Sequence, residues 1–275
     1  SGLTQSSDLW VPATDTVKPE YSEQISVGTA VAIGKMFLLE VEGYYKTMDN
    51  VIEYKNNTSF LQKGVTWQDK ITAGKGTAYG AEFFLKKTSG RVTGSVSYTL
   101  SWSERLFKDL NFGKPFPFRY DRRHDVSLTG NYRFNDRWSL NAMWVYYSGN
   151  AVTVPTDAYV SPDYNSGGGK LSYFPSPNVI ISYYYNNDII TSSPQRNNYR
   201  LPSYQRLDVT ATYRKPTRKG EWNLMFGITN LYNHFNASYY TVYEKVEPST
   251  GKVTMKYDAV SLFPIMPTVS FRIKF

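Results

Sequence analysis

Val92-Thr93-Gly94-Ser95-Val96-Ser97-Tyr98-Thr99-Leu100-Ser101-Trp102 alternates without a fault. Val92, Gly94, Val96, Tyr98, Leu100 and Trp102 are apolar or small, and every residue between them carries a hydroxyl. That is a period of two, the signature of a strand with one apolar and one wet face. A strand of roughly ten residues tilted by about 45° spans the hydrocarbon core of a bilayer. A soluble sandwich strand also alternates, but it usually has about five or six residues. The stretch therefore reads as a membrane-barrel strand, provided that the pattern recurs.

It recurs on both sides. Upstream, Ile25, Val27, Thr29, Val31 and Ile33 form one alternating set, and Phe37, Leu39, Val41, Gly43 and Tyr45 a second. Ala81, Phe83 and Leu85 form a third within the strand Ala78 to Lys87. Downstream come Val126 to Phe134, Trp138 to Tyr146, Leu207 to Tyr213, Trp222 to Ile228 and Val269 to Phe275. About nine strands result, joined alternately by short turns and long loops, as in outer-membrane barrels. The long connections are read as 50–76, 104–118 and 148–203, and 215–221 as a cationic turn. Tyr239 to Val246 is read as part of a projecting hairpin.

Composition agrees with this reading. The chain of 275 residues is 41% hydrophobic and contains no run of about 18 apolar residues, so no helix is expected to span a membrane. A mean hydropathy of -0.46 suits a barrel, whose lipid-facing residues occupy only every second position. With no cysteine, a disulfide framework, a thiolate metal site and a cysteine nucleophile are excluded. The net charge of +8 is scattered over strand ends and turns, which favours lipid phosphates over nucleic acid as partner. The polar segment 1–18 shows no periodicity and no signal peptide and reads as a remnant of an outer loop. Residues 19–275 read as barrel.

Charged residues on the wet faces are expected to look into a lumen, because a carboxylate facing lipid is costly. They are Glu40, Glu42, Glu82, Asp125, Arg133, Arg206 and Asp208. Phe134, Trp138, Tyr213, Trp222 and Phe275 stand at strand ends beside the short turns, as an interfacial girdle would. Ligand contact is expected from the longest loop, through Tyr159, Tyr164, Tyr173, Tyr183, Tyr184 and Tyr185 among Ser, Asn and Gly. No catalytic or metal site is expected. Arg119, Asp121, Arg122, Arg123, His124 and Asp125 lack a second or third ligand at metal spacing, so they read as a strand-end and lumen network. His234 is expected to be a lone loop histidine. No cofactor is expected.

Parity adds an expectation. An odd number of strands places the two chain ends on opposite sides of the membrane, whereas bacterial barrels have an even number. An open sheet would also leave backbone groups unpaired in lipid. The chain is therefore expected to be one part of a barrel, separated from the rest by cleavage in an exposed outer loop or by a split gene.

Several stretches together resemble a known family. They are Lys18-Pro19-Glu20, Glu42-Gly43-Tyr44-Tyr45-Lys46 through Asp49-Asn50-Val51-Ile52, and Gly74-Lys75-Gly76 through Tyr79-Gly80-Ala81-Glu82. Asn230-Leu231-Tyr232-Asn233 and the terminal Phe275 complete the set. In order and spacing they resemble the last part of a TonB-dependent outer-membrane receptor, and Arg119 to Asp125 resembles the Bacteroides-type receptors most. The resemblance implies an all-β antiparallel transmembrane barrel segment, about nine strands of a roughly 22-stranded barrel around a plug. It implies active import of a nutrient from the cell surface, and no enzyme. The implied partners are an N-terminal piece with the plug and the remaining strands, TonB through that piece, outer-membrane lipid, and a surface lipoprotein. Phe275 would be the assembly signal. Two other readings stay open. A porin-like or adhesin barrel would lack a plug, and an outer-membrane hydrolase would need a converging Ser, His and carboxylate set.

Overall fold

A computed structural model describes residues 12–56, 64, 66–154, 157–160, 189–192, 195–218, 220–246 and 253–274. Nine long strands run through them: β1 (Tyr21–Ile33), β2 (Phe37–Tyr54), β3 (Ile71–Lys87), β4 (Val92–Leu106), β5 (His124–Arg133), β6 (Trp138–Tyr147), β7 (Tyr204–Thr217), β8 (Gly220–Thr229) and β9 (Met266–Lys274). They form one antiparallel meander in chain order, with the two-residue strand Phe116–Pro117 added at the end of β4. Turns 34–36, 88–91 and 134–137 and the short link between Thr217 and Gly220 lie at one end of the sheet, and the strand ends joined by the long connections lie at the other. Among the described residues β1 and β9 each pair on one side only, so the sheet is open. Val27 on β1 is 75% exposed and Val269 on β9 is 68% exposed.

Register shows why the alternation matters. Thr29, Val41, Phe83, Tyr98, Val126 and Tyr146 form one row across six strands. The adjacent row is Gly28, Glu42, Glu82, Thr99, Asp125, Tyr147 and Tyr204. Side chains of neighbouring rows point to opposite faces of a pleated sheet. One face is consequently apolar from Val92 to Trp102 on β4 and over the corresponding stretch of β3 and β5, except for Lys87 opposite Gly94 at the turn end and His124 opposite Leu100 at the loop end. Ten residue steps cover roughly 33 Å of strand, and a tilt of about 45° reduces that to roughly 23 Å, close to the height of a barrel's lipid-facing band. Charges on this face stand at the margins of the band, Lys87 at the turn end and the Lys75–Asp49 ion pair at 3.2 Å beyond the loop end.

Strands β2 and β3 are longer than the alternation predicts. The segment 50–76 is not one long connection, because β2 continues to Tyr54 and β3 starts at Ile71. The glycines that interrupt the pattern lie within the strand and permit close approach. A Cβ on Gly74 would sit 2.4 Å from the Leu106 carbonyl oxygen and from the Phe107 ring, and one on Gly76 2.1 Å from the Arg105 guanidinium. At Gly74 the obstacles are backbone and a buried ring, so a larger residue does not fit there, whereas at Gly76 the end of the flexible Arg105 side chain can move aside. Asn50 is the second surprise. It adopts φ +58°, which asparagine tolerates better than most residues, and adds one residue to β2 between Asp49 and Val51. This bulge inverts the parity of everything after it. Val51 thereby leaves the face of Tyr45 and Asp49 and becomes buried.

At the long-loop end Val51 joins Phe107, Leu110 and Phe116, with Met48 packed against them, in the apolar core found among the described residues. The rest of the sheet has almost no interior, as a barrel wall would require. The expected loop 104–118 is shorter, because β4 runs to Leu106 and Phe116–Pro117 folds back on Glu104 and Arg105. The expected turn 215–221 is likewise mostly strand, since Pro216 pairs with Glu221 and Thr217 with Gly220. Within 148–203, Ala151–Val152 pairs with Tyr199–Arg200, and Asp157–Val160 with Ile189–Ser192. The projecting hairpin exists, formed by Tyr239–Val246 and Val253–Val260.

Candidate functional site

The residues that organise the long-loop end lie far apart in sequence. Asp121 is buried to 2% exposure. Its Oδ1 accepts the Ser103 amide at 2.7 Å, and its Oδ2 pairs with Arg200 and, at 3.5 Å, with Arg123. Arg200 also donates through Nη1 to the carbonyls of Asp121 at 2.6 Å and Gly149 at 2.9 Å. A buried carboxylate needs such pairing to remain charged. The Arg119 to Asp125 cluster is thus a structural clamp in which Asp121 holds the returning arm of the longest loop to the end of β4. At the strand end these residues form a network of hydrogen bonds and ion pairs with Asp121 at its centre.

Arg196 and Asn197 extend the clamp. Arg196 donates to the Tyr54 carbonyl at 2.8 Å and to Asn56 at 2.9 Å, and its amide reaches Asn111 at 3.1 Å. Asn197 donates to the Pro117 carbonyl at 2.7 Å. A second polar knot follows β8. Asn230, buried and at φ +56°, bonds to Asp208, to the backbone of His234 and to the Phe263 carbonyl. Asn233 at φ +52° accepts the Ile265 amide at 2.9 Å. His234 is not alone, since its Nδ1 lies 3.0 Å from Asn236 Oδ1. The Asn-Leu-Tyr-Asn stretch therefore works as a loop brace, using the tolerance of asparagine for left-handed backbone.

Between these knots lies a cleft of about 550 Å³, lined among others by Arg119, Arg122, Arg196, Tyr147, Tyr204 and Phe235. Tyr147 ends β6 and Tyr204 begins β7, and their rings stack in parallel at 4.6 Å. The Arg122 guanidinium lies 4.0 Å from the Tyr147 ring, held by Nε donating to Asn150 at 3.2 Å. Arg206 donates to the Tyr204 hydroxyl at 3.1 Å. Tyr240 on the hairpin also lines the cleft; burial, assisted by Tyr199, pushes its phenol above the ordinary value, so it stays a proton donor. Three guanidiniums against the single carboxylate of Glu53 make the lining cationic. Periodicity gave no sign of this cleft, although pairing β6 with β7 would have placed Tyr147 beside Tyr204.

The expected site residues are distributed as follows. Glu40, Glu42, Glu82, Asp125, Arg133, Arg206 and Asp208 all occupy the polar face by register. Glu42 and Glu82 are direct cross-strand partners. Asp208 is already used within the wall, paired with Arg206 at 3.0 Å and accepting the Asn230 amide. At the short-turn end the rings of Trp138 and Tyr213 lie 5.0 Å apart, Tyr213 and Trp222 5.8 Å, and Trp222 and Phe271 5.7 Å. Phe134 packs on Tyr132 at 4.6 Å. Phe275 lies outside the described residues, as do Tyr164, Tyr173, Tyr183, Tyr184 and Tyr185. The backbone of Tyr159 pairs with Ile190. Among the described residues no group of His, Asp and Glu could hold a metal ion.

Comparison with known proteins agrees with the architecture. Across 99% of its length the chain superposes on the ferric-catecholate import receptor Fiu of E. coli K12 in its closed form, with a TM-score of 0.51 and 15% identity. That match establishes the fold alone, and the chain spans 30% of that receptor's length. No curated protein matches the sequence. Residues 3–231 match the family described as TonB dependent receptor-like, beta-barrel. An open antiparallel wall with one largely apolar face, matched over most of its length by that family, makes this chain a member of the TonB-dependent receptor β-barrel family.

Proposed function

We propose that the chain forms wall and outer loops of an outer-membrane importer coupled to TonB. The observation that carries this reading is the apolar band on one face of the sheet, with Lys87 at its turn-end margin, opposite a polar face with a cleft at the long-loop end. In lipid the open edges of β1 and β9 would each leave a row of backbone groups unpaired, at several kcal/mol for each group. Further strands from an N-terminal piece of the receptor pair with those edges and close the barrel. That piece carries the plug, which Glu40, Glu42, Glu82, Asp125 and Arg133 face. The wall itself has no energy source, so import is driven by TonB acting through the plug.

Phe134, Trp138, Tyr213 and Trp222, joined by Phe271, mark the inner membrane-water interface, where amphipathic rings settle. The long loops then face outward, and the tyrosines of the longest one, Tyr159, Tyr164, Tyr173, Tyr183, Tyr184 and Tyr185, are its ligand contacts in this reading.

Native and denaturing mass spectrometry of the detergent-extracted outer membrane tests the proposal. The expected result is that these 275 residues are recovered together with a plug and further strands, within one polypeptide or in a stoichiometric complex. Recovery of the chain alone, folded and monomeric, would refute it.

A further inference from the structure

We propose that the cleft between the polar knots binds a negatively charged group attached to a ring with an apolar face, either an acidic sugar or an aromatic acid. This inference rests on the importer reading and names the ligand class it serves. A volume of about 550 Å³ falls within the range of small-molecule sites, which is about 300–1,000 Å³.

Charge decides the sign of the ligand. Among the described residues no carboxylate lies within ion-pair distance of Arg119 or Arg196, and the one near Arg122 is Asp125 at 3.7 Å. By contrast, the arginines of the clamp, Arg123 and Arg200, are paired to Asp121. The cleft thus holds Arg119 and Arg196 without a carboxylate partner among the described residues, Arg196 bonding to the neutral Tyr54 carbonyl and Asn56. Arg122 is shared with Asp125, and Glu53 is the one carboxylate of the lining. Guanidinium is the side chain suited to bind carboxylate, sulfate or phosphate through two parallel hydrogen bonds.

Shape decides the rest. Arg122, Tyr147 and Tyr204 form a column of three planar groups, braced by Asn150 at Arg122 and by Arg206 at the Tyr204 hydroxyl. Such a column is already ordered before a ligand arrives, so binding costs little side-chain entropy. Phe235 lines the same cleft while 61% exposed. Exposed aromatic area beside rigid cations suits a ring with an apolar face and a charged edge.

The test uses the complete receptor, extracted in detergent with every piece that accompanies this chain. Calorimetric titration compares trigalacturonate with neutral maltotriose, and 2-naphthoate with neutral 2-naphthol. At least one anionic probe is expected to bind at least about tenfold more tightly than its neutral counterpart, the factor expected of one charge-assisted hydrogen bond. Trigalacturonate alone would identify acidic sugars, 2-naphthoate alone aromatic acids, and both the shared chemistry. Arg122→Gln and Arg119→Gln are each expected to weaken that binding about tenfold. Should Arg122→Gln fail to fold, Arg119→Gln still decides, because its side chain contacts the ring of the adjacent Tyr120 and braces no loop among the described residues. Equal affinity for charged and neutral probes, no binding of either anion, or unchanged affinity in Arg119→Gln would overturn the proposal. Binding in detergent needs no energy source, so that result would leave the importer reading to the co-purification experiment.

Discussion

The two ends of this sheet are built on different principles. At the short-turn end, strands are held by backbone ladders and a row of touching rings, Trp138, Tyr213, Trp222 and Phe271, with hardly a side chain excluded from solvent or lipid. At the long-loop end, a small apolar core and two polar knots join segments that are 18 to 142 residues apart. The first arrangement tolerates change as long as the alternation survives. The second depends on individual hydrogen bonds, as a surface that must hold loops over a cleft requires.

The sharpest way to break this contrast is Asp121→Ala. Removing the carboxylate leaves Arg123 and Arg200 without their anion, at about 3–5 kcal/mol for disruption of a buried pair. The loops at that end should become sensitive to limited proteolysis, while the wall keeps its heat-modifiable migration on gels. Loss of both together would show that the two ends are a single cooperative unit.

A charge placed on each face of one strand comes next. Val96→Arg puts a guanidinium on the apolar face and should cost about 2–4 kcal/mol near the bilayer midplane. Its neighbour Ser97→Arg, on the polar face, should cost less than about 1 kcal/mol. Urea titration of the receptor in lipid vesicles measures both, and equal costs would mean that the faces are misassigned.

Glycines sharpen the comparison at smaller scale. Gly74→Ala drives a methyl group into the Leu106 carbonyl and the Phe107 ring and should cost about 1–3 kcal/mol. Gly130 has nothing within 4 Å of a built Cβ, so Gly130→Ala should change stability by no more than about 0.5 kcal/mol. The smallest clear effect is expected for Trp222→Phe, which keeps a ring but loses part of the contacts to Tyr213 and Phe271, worth about 0.5–1.5 kcal/mol for such pairs. Thermal unfolding of the purified receptor resolves the series.

Much of the wall was legible because its information is local. Alternation over five to eleven residues assigns strand, face and the order of short and long connections, and register confirmed each assignment from Ile25 to Ile273. Strand ends were misread where the local signal and the structure diverge. Gly74 and Gly76 look like loop residues in sequence but serve the approach of Leu106, Phe107 and Arg105. Pro216 looks like a turn residue but stands opposite Glu221.

What the sequence determined alone is therefore the barrel wall, since a period of two needs no knowledge of distant residues to say which side chains share a face. Only the tertiary structure decided the inversion at Asn50, the burial of Asp121 and the cleft. Each depends on a partner brought from another part of the chain, as Arg196 is brought to Tyr54 across 142 residues. No local pattern encodes such a meeting, because its free energy exists only once the strands have already paired.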